Sequence, residues 1–403
     1  MNRVRAVAAV VLLVLTVGAG RPARAADPSP GGVVEDVAPG IDYRAFSFAT
    51  GHGATRVHVL SVDLDDPRVR VGLLYPGAVA DRAPVSSMAE RQGAVAAVNG
   101  DFFDITEEQH PGIPATGAAV GAAVLDGRPL KAAVPEGQRF GGVLPSGATG
   151  QEVIGVGVDG RARTARLTLD GVLRTPSGPV PLGGLNQYAL PEGSIGVFTP
   201  QWGSTPRARA ACGRDHDRAA PCTHDTFELT VSHGRVDATA EAPGEGPIAS
   251  GSEVLLGREA GAGALKALAP GTPVTVEYRL ASTSRVPFAF ALGAYPLLRG
   301  GRLLPDLDAA TVQPRTAAGI ADGGRRLYLV VTDGREGTST GLTLAELADL
   351  LGSLACEEAV YLDGGASSTL VTRDHATGRV DVRNSLDHGQ ERRVPNGIAL
   401  YSR

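Results

Sequence analysis

The residues best suited to chemistry lie in one run near the C-terminus, residues 359–370. An apolar segment typical of a short buried strand leads directly into an acid, two glycines and three hydroxyl side chains: Asp363, Gly364, Gly365, Ser367, Ser368 and Thr369. Glycines adopt φ > 0 readily and let a ligand approach the main chain closely. A structural turn would need only the glycines, so the added carboxylate and hydroxyls predict chemistry on a polar substrate.

Three other segments carry polar side chains close to a predicted strand end. They supply an amide, carboxylates, guanidinium groups and a hydroxyl, from Asn99-Gly100-Asp101, from Asp333 and Arg335, and from Arg315-Thr316. Carboxylates accept hydrogen bonds from sugar hydroxyls, and a pair of them can act as acid, base or nucleophile at a glycosidic bond. Arginine binds phosphate through paired hydrogen bonds. These residue types together predict a substrate that combines a hydroxyl-rich ring with an anionic group.

Each of these segments also has a simpler structural explanation. Asp-Gly and Asn-Gly, at 333–334 and 99–100, are common turn dipeptides. Arg315 can equally form an ion pair with a surface acid. Asp363 has the strongest functional case, because both glycines and hydroxyls accompany it.

A predicted β-α-β unit places two of the acids at one edge of a sheet. Residues 326–331 form a strong strand pattern, and a helix follows over 343–355 with an apolar leucine stripe and a T-x-x-E capping box at Thr343 and Glu346. The strand before Asp363 completes the unit. A right-handed crossover with two parallel strands would bring Asp333 and Asp363 to the carboxyl edge of the sheet, where open α/β sheets bind ligands. We therefore expect an α+β fold with a mixed β-sheet core.

Composition and the N-terminus limit the class of protein. The chain has 403 residues, a net charge of −5 and 43% hydrophobic residues, with no basic cluster that indicates nucleic-acid binding. Residues 1–25 combine two early arginines, an apolar run and an A-x-A site, which predicts a signal peptide and a secreted protein. The alternative is a single membrane anchor, but the run is short for one. No transmembrane helix is expected in the mature chain.

The rest of the chain divides into three predicted parts. A leader and strands occupy 26–93, a main domain 94–402, and a β-rich insertion 150–285 lies within that domain. The insertion carries Cys212 and Cys222, for which export favours a disulfide. Metal binding together with the nearby His216 and His224 is the alternative. We expect Cys356 to be a buried free thiol and the eight histidines to lie at the surface or in turns.

Seven motifs occur in the order found in one family. They are Asn-Gly-x-Phe-Phe (99–103), Tyr-Pro-x-Leu (295–298), Pro-Arg-Thr-Ala-x-Gly (314–319), Asp-Gly-Arg (333–335), Gly-Leu-Thr-Leu-x-Glu-Leu (341–347), Leu-Asp-Gly-Gly-x-Ser (362–367) and Glu-Arg-x-Val-x-Asn (391–396). With this series the chain resembles the phosphodiester glycosidase family over about 94–402, loosely between 150 and 285. The family often has Gly-Gly-Gly-Ser where this chain has Ala366, and the added methyl group could shift the turn.

The resemblance implies roles for individual residues. Asp333 and Asp363, with Asp101, are the expected catalytic acids. The expected substrate contacts are Asn99, Gly100, Arg315, Thr316, Arg335, Gly364, Gly365, Ser367, Ser368, Asn384 and Arg392, with the arginines on the phosphate. The implied reaction is hydrolysis of a sugar-1-phosphodiester, such as one of N-acetylglucosamine, to a free sugar and a phosphomonoester. A cell-wall glycopolymer is a plausible substrate for an exported enzyme.

Two alternatives stay open at this point. No cofactor is expected, but the same aspartates could bind Ca²⁺ or Mg²⁺ in a metal-dependent phosphodiesterase. The chain could also be a non-catalytic glycan-binding protein on the same scaffold, since a fold does not determine a function.

Overall fold

The structure is a computed structural model that describes residues 33–333 and 339–403. The predicted signal peptide, the leader up to residue 32 and Arg335 lie outside the described residues. Within them, no helix is long and apolar enough to cross a bilayer.

The described chain is mostly β-sheet with few helices, compatible with an α+β fold. In chain order the strands are β1 (Val33–Ala38), β2 (Ile41–Thr50), β3 (Gly53–Asp63), β4 (Val69–Leu74), β5 (Ala96–Asn99), β6 (Ala123–Leu125), β7 (Arg128–Lys131), β8 (Glu152–Gly157), β9 (Ala162–Thr175), β10 (Gly178–Pro181), β11 (Gly184–Leu185), β12 (Ile195–Phe198), β13 (Thr226–Ser232), β14 (Arg235–Ala240), β15 (Ser252–Arg258), β16 (Thr275–Ser282), β17 (Phe288–Gly293), β18 (Tyr295–Arg299), β19 (Arg302–Leu303), β20 (Thr316–Ala321), β21 (Arg326–Thr332), β22 (Glu358–Tyr361), β23 (Leu370–Arg373), β24 (Val380–Val382) and β25 (Gly397–Ser402). The α-helices are α1 (Val85–Gln92), α2 (Ala260–Lys266) and α3 (Leu344–Ser353).

One large sheet positions both predicted acids, in the order β1-β2-β3-β21-β20-β22-β18-β19. Both β21 and β22 pair antiparallel with β20. They therefore run in the same direction, with β20 between them, and are not hydrogen-bonded neighbours. Asp333 directly follows β21 and Asp363 lies two residues beyond β22, so both acids come at the same edge of the sheet. The right-handed sense of the β21-α3-β22 connection stays a prediction.

Helix α3 forms for the local reasons that the sequence indicates. The Thr343 hydroxyl accepts a hydrogen bond from the Glu346 amide at 3.2 Å, and Glu346 Oε2 accepts one from the Thr343 amide at 2.9 Å. This capping box satisfies main-chain donors that a helix start leaves unpaired. The leucine stripe is buried and packs against β18, β19 and β22. The helix thereby fixes the strand that leads to Asp363.

A second sheet, in the order β24-β23-β5-β25-β4, brings distant loops together. Its central strand β5 pairs antiparallel with β23 and with β25. The last residue of β5, Asn99, is the partner of Gly397 at the start of β25. The segment after β5 and the loop before β25 therefore meet at one end of this sheet.

The segment predicted as an insertion forms most of two further sheets. A five-stranded sheet runs in the order β11-β12-β15-β13-β14 and has its own apolar cluster. Strand β8, in contrast, pairs with β17, which lies beyond the predicted insertion. The predicted Cys212–Cys222 disulfide is confirmed, with the sulfur atoms bonded, and Cys356 is a buried free thiol as expected.

Candidate active site

Asp363 is held by both of its main-chain groups. Its N–H donates to the Gly100 carbonyl at 2.8 Å, and its carbonyl accepts from Asn99 Nδ2 at 2.7 Å. Asn99 Oδ1 in turn accepts from Thr316 Oγ1 at 2.8 Å and from the Thr369 N–H at 3.0 Å. The side chains of Asn99 and Thr316 are fully buried. Both lie next to the predicted catalytic acid, but their polar groups are engaged in fixing Asp363.

The turn after Asp363 explains the two glycines. Gly365 has a φ of +59°, in the left-handed region, and its N–H donates to the Pro314 carbonyl at 2.8 Å. A Cβ on Gly364 would lie 2.9 Å from that same carbonyl oxygen. Ala366 does not adopt a positive φ, so its methyl group needs no change in the turn. The departure from the family pattern at this position is therefore accommodated.

Asp363 is half-buried, and the surroundings of its carboxyl group change the pKa of that group. Burial raises the pKa of Asp363 to about 7, and the nearby negative charge of Asp101 adds to the rise. The Ser367 hydroxyl and the positive charge of Arg392 act in the opposite direction. Arg392 Nη1 donates to Ser367 Oγ at 3.4 Å. Asp363, Ser367 and Arg392 thus form one interacting group, which we call the Asp363 cluster.

Asp333 is anchored in a hydrogen-bonded chain that the sequence did not reveal. Its Oδ1 lies 2.9 Å from His58 Nε2 and accepts from the Ser385 N–H at 2.7 Å. His58 Nδ1 lies 2.7 Å from the Tyr43 hydroxyl. The expectation that His58 is a surface or turn residue is wrong: it is buried in β3, opposite Val331 of β21. Among the described residues, Asp333 Oδ2 has one long contact, 3.4 Å from Ser385 Oγ, and so keeps acceptor capacity.

Asn384 connects this chain to the Asp363 turn. Its Oδ1 accepts from the Leu370 N–H at 2.8 Å and its Nδ2 donates to the Ser368 carbonyl at 3.0 Å. The next residue, Ser385, binds Asp333. The Ser368 hydroxyl is buried and has no partner among the described residues. Asn384 therefore supports the turn, and Ser368 carries a free polar group.

Asp101 is almost completely buried, and backbone amides surround its carboxylate. Oδ1 accepts from the Phe102 N–H at 2.8 Å and Oδ2 from the Gly121 N–H at 2.6 Å. A Cβ on Gly293 would lie only 2.3 Å from Oδ2, which explains why this contact needs a glycine. Burial raises the pKa of Asp101, while the charge of the buried Lys131 lowers it. Asp101 acts on Asp363 through its charge, and its own carboxylate is enclosed by main chain.

The guanidinium of Arg315 is engaged by main-chain carbonyl groups. Its Nε donates to the Leu342 carbonyl at 2.8 Å and its Nη2 to the Thr311 carbonyl at 2.6 Å. Burial lowers the pKa of Arg315 to about 10, and the negative charge of Asp308 opposes that shift. Of the predicted phosphate-binding arginines that the structure describes, Arg392 is therefore the one beside Asp363.

The predicted acids do not form a compact group of metal ligands. In the described part of the chain, the one group of three candidate ligands within 4.8 Å is His110, Cys212 and Cys222. Both of these cysteines belong to the disulfide. His110 is also buried, beside Glu107, and the expectation of a surface position is wrong for it as well. The absence of a cofactor stays a prediction.

Two solved structures resemble this chain in fold. A hypothetical protein from Synechocystis aligns at a TM-score of 0.70 with 22% identity, over 93% of this chain and 64% of its own. A Burkholderia pseudomallei protein described as exported aligns at 0.66 with 24% identity, over 87% of this chain and 74% of its own. These two structures share the fold, and the chain spans slightly less than two thirds of the Synechocystis protein.

A third structure is the catalytic domain of zebrafish N-acetylglucosamine-1-phosphodiester α-N-acetylglucosaminidase, auto-inhibited by its pro-peptide. It aligns at a TM-score of 0.44 with 14% identity, over 94% of this chain and 86% of its own. No curated protein matches the sequence. Residues 225–401 match the sequence model described as phosphodiester glycosidase. That match confirms the predicted resemblance to the phosphodiester glycosidase family over these residues, which make up somewhat less than half of the chain.

Proposed function

We propose that the protein is a glycosidase that hydrolyses the C1–O bond of a sugar-1-phosphodiester and releases a free sugar and a phosphomonoester. The observation that carries this proposal is the Asp363 cluster. A carboxyl group with a pKa of about 7 is fixed through both main-chain groups beside a hydroxyl and a guanidinium. Such a carboxyl group can carry a proton at neutral pH, which is what a general acid needs.

The cluster supports a division of roles in the reaction. Asp363 gives its proton to the phosphate oxygen as the C1–O bond breaks, and Arg392 offsets the negative charge of the phosphate. Asp333, oriented by His58 and Ser385, takes a proton from the water that attacks C1. A phosphomonoester is a good leaving group, so the main demands are stabilising the oxocarbenium-like centre and activating water. The predicted phosphate contact of Arg335 lies outside the described residues and stays a prediction.

The disulfide bond supports an extracellular location and therefore an extracellular substrate. The Cys212–Cys222 disulfide is a bond that persists in oxidising compartments. Cell-surface glycopolymers with phosphodiester links are therefore the substrates that we propose, with an N-acetylglucosamine phosphodiester as the first to be tried.

Hydrolysis in ¹⁸O-labelled water tests the bond that breaks. We expect the label in the released sugar, because water attacks C1. Label in the phosphate would instead indicate attack at phosphorus, as in a metal-dependent phosphodiesterase, and would overturn the proposal. A folded protein without turnover on any sugar-1-phosphodiester would favour a glycan-binding protein.

Replacing Arg392 with Ala should remove a positive charge that binds the phosphate group of the substrate and should therefore slow its hydrolysis. Hydrogen bonds to charged groups contribute about 1.5–3 kcal/mol, so we expect kcat/KM for the phosphodiester to fall by about 10- to 100-fold. An uncharged aryl glycoside of the same sugar should lose much less. Arg393→Ala is the matched control, because the neighbouring Arg393 is exposed and donates to the Arg82 carbonyl at 2.6 Å. Equal losses for charged and uncharged substrates would contradict the assigned role.

A further inference from the structure

A cavity of about 410 Å³ lies next to the Asp363 turn, and the roles assigned above leave it unused. Its wall includes Leu362 and Gly364, the neighbours of Asp363, but not Asp363 itself. The volume falls within the range of about 300–1,000 Å³ that is typical of small-molecule sites. The side chains that give it its chemical character are Phe102, Asp308, Gln313, Arg315 and Tyr361.

The loop 141–146 forms one wall and is fastened onto the aromatic side chains. Gly141 has a φ of +101°, and a Cβ there would lie 2.5 Å from the Phe102 ring. The Tyr361 hydroxyl donates to the Val143 carbonyl at 3.2 Å. Ser146 Oγ donates to Asp306 Oδ2 at 2.7 Å, which joins this loop to the opposite wall. These contacts show that the cavity is built by specific interactions.

Two features of the wall favour a ligand that has both apolar and polar faces. Phe102 and Tyr361 supply aromatic surface, and Phe102 is stacked on Tyr295 at 4.8 Å between ring centroids. Val143 leaves 91% of its surface exposed at the rim, which is unusual for an apolar side chain. Gln313 and Thr311 add hydrogen-bonding groups to the same wall. A sugar ring presents both C–H faces and hydroxyl groups, so it can satisfy both kinds of surface.

The charges around the cavity argue against an anionic ligand. Arg315 brings one positive charge, whereas Asp306 and Asp308 bring two negative charges. The guanidinium of Arg315 already donates to two main-chain carbonyls. Among the lining residues, a phosphate group would therefore meet two carboxylates and a guanidinium that is already engaged, whereas hydroxyl groups can donate hydrogen bonds to the carboxylates. The Asp363 cluster, with Arg392, is the better place for the phosphate.

We propose that this cavity is a subsite for one uncharged sugar unit, so that the substrate is an oligosaccharide or polymer and not an isolated sugar phosphodiester. The link from this subsite to catalysis rests on the proposed glycosidase function. Sugar binding in the cavity does not depend on that function and can be measured separately.

The test compares binding of uncharged disaccharides with turnover of a small phosphodiester. N,N′-diacetylchitobiose, maltose and cellobiose serve as probes, by calorimetry and saturation-transfer NMR on the full chain. Gly142→Leu should place its side chain in the cavity, because a Cβ there already lies 3.4 Å from the Tyr361 hydroxyl. Gly352→Leu is the matched control, because Gly352 lies on the exposed side of α3 with open space around it.

We expect at least one probe to bind wild type and Gly352→Leu equally. Gly142→Leu should weaken it by at least about 10-fold, equivalent to 1.4 kcal/mol. Gln313→Leu, which keeps the volume but removes the amide, should weaken binding by about 10-fold. Hydrolysis of a methyl phosphodiester of N-acetylglucosamine should persist in all three variants.

Other outcomes would overturn the inference. Wild-type protein that binds none of the probes, or Gly142→Leu that binds as tightly as wild type, would show that the cavity is not a sugar subsite. Loss of methyl phosphodiester hydrolysis in Gly142→Leu would show that the cavity is the reaction centre itself. Sugar binding without any hydrolysis by wild type would leave the subsite standing and overturn only the proposed glycosidase function.

Discussion

Asp363→Asn is expected to lower kcat for sugar-1-phosphodiester hydrolysis by about 10²-fold, the lower end of the range of 10²–10⁴ that general acid–base groups contribute, because a phosphomonoester already leaves readily. The amide has nearly the same shape as the protonated acid but cannot give up a proton. The main-chain bonds of Asp363 to Gly100 and Asn99 do not involve its side chain, so the position should be kept. Steady-state kinetics with calorimetric substrate binding will separate lost chemistry from lost affinity.

The same acid should control the pH dependence of wild type. Because the pKa of Asp363 is raised to about 7, the proton-donating form declines above that pH, and kcat/KM should fall on the alkaline side. The folded-state pKa also lies above the ordinary pKa of about 3.9 for an aspartate in an unfolded chain. The folded protein therefore binds this proton more tightly than the unfolded chain, and the associated stability declines as the pH rises from about 4 to 7. Asp363→Asn should lack this decline in denaturant unfolding.

A matched control for this substitution is Asp349→Asn, which changes an exposed acid in α3. It should keep wild-type kcat and the wild-type pH profile. If Asp363→Asn retained more than a tenth of the activity, or kept the alkaline decline in kcat/KM, Asp363 would not be the acid and the proposed mechanism would be wrong.

Local sequence signals identified the parts of the site that depend on local structure. The capping box of Thr343 and Glu346 fixed the start of α3, and the strand pattern before Asp363 matched β22. The turn after Asp363 needs a glycine for a stereochemical reason, because Gly365 adopts a φ of +59°. Each of these features is set by residues a few positions apart in the chain, so the helix, strand and turn propensities of those residues are enough to predict it.

Sequence reasoning failed where a side chain's partner is distant in the chain. His58 and Asp333 are 275 residues apart, and only the pairing of β3 with β21 brings them together. A single histidine between Val57 and Val59 in an alternating strand is the pattern of a solvent-facing residue, because neighbouring side chains of a strand point to opposite faces, so the sequence carried no sign of that partner. The same limit applies to Arg315, whose residue type predicted a phosphate contact. Its main-chain partners at Thr311 and Leu342 could not be inferred from type.

Asn99 shows how residue type can be right and the role different. An amide at a strand end was expected to contact substrate, and the structure places it beside the expected acid. Among the described residues, the hydrogen bonds of its side chain go to the Asp363 carbonyl, the Thr316 hydroxyl and the Thr369 N–H. We therefore infer that Asn99 is a positioning residue that acts through Asp363.

Asn99→Ala should destabilise the protein and slow catalysis together. Three buried groups would lose their partner, and an unsatisfied buried group costs about 1–3 kcal/mol, so we expect the free energy of unfolding to fall by about 3 kcal/mol or more. In the folded fraction kcat should fall by about 10- to 100-fold, because a small displacement of a catalytic group can cost that much. KM should change little if Asn99 does not touch the substrate.

The control for a purely structural effect is Asn186→Ala. Asn186 is also buried, and its side chain also makes three hydrogen bonds, with the Leu130 carbonyl, the Thr199 hydroxyl and the Thr199 N–H. It lies beside β11, away from the Asp363 cluster, and should lose at least comparable stability because its φ of 45° also disfavours Ala. Its kcat per folded molecule should match wild type.

The pH profile separates positioning from stability more sharply than kcat alone. If Asn99 orients Asp363, its loss should change the local environment of that carboxyl group and move the alkaline decline in kcat/KM, which loss of stability alone would not do. An increase in KM with unchanged kcat and an unmoved pH profile in Asn99→Ala would return Asn99 to the substrate-binding role that its sequence position first suggested.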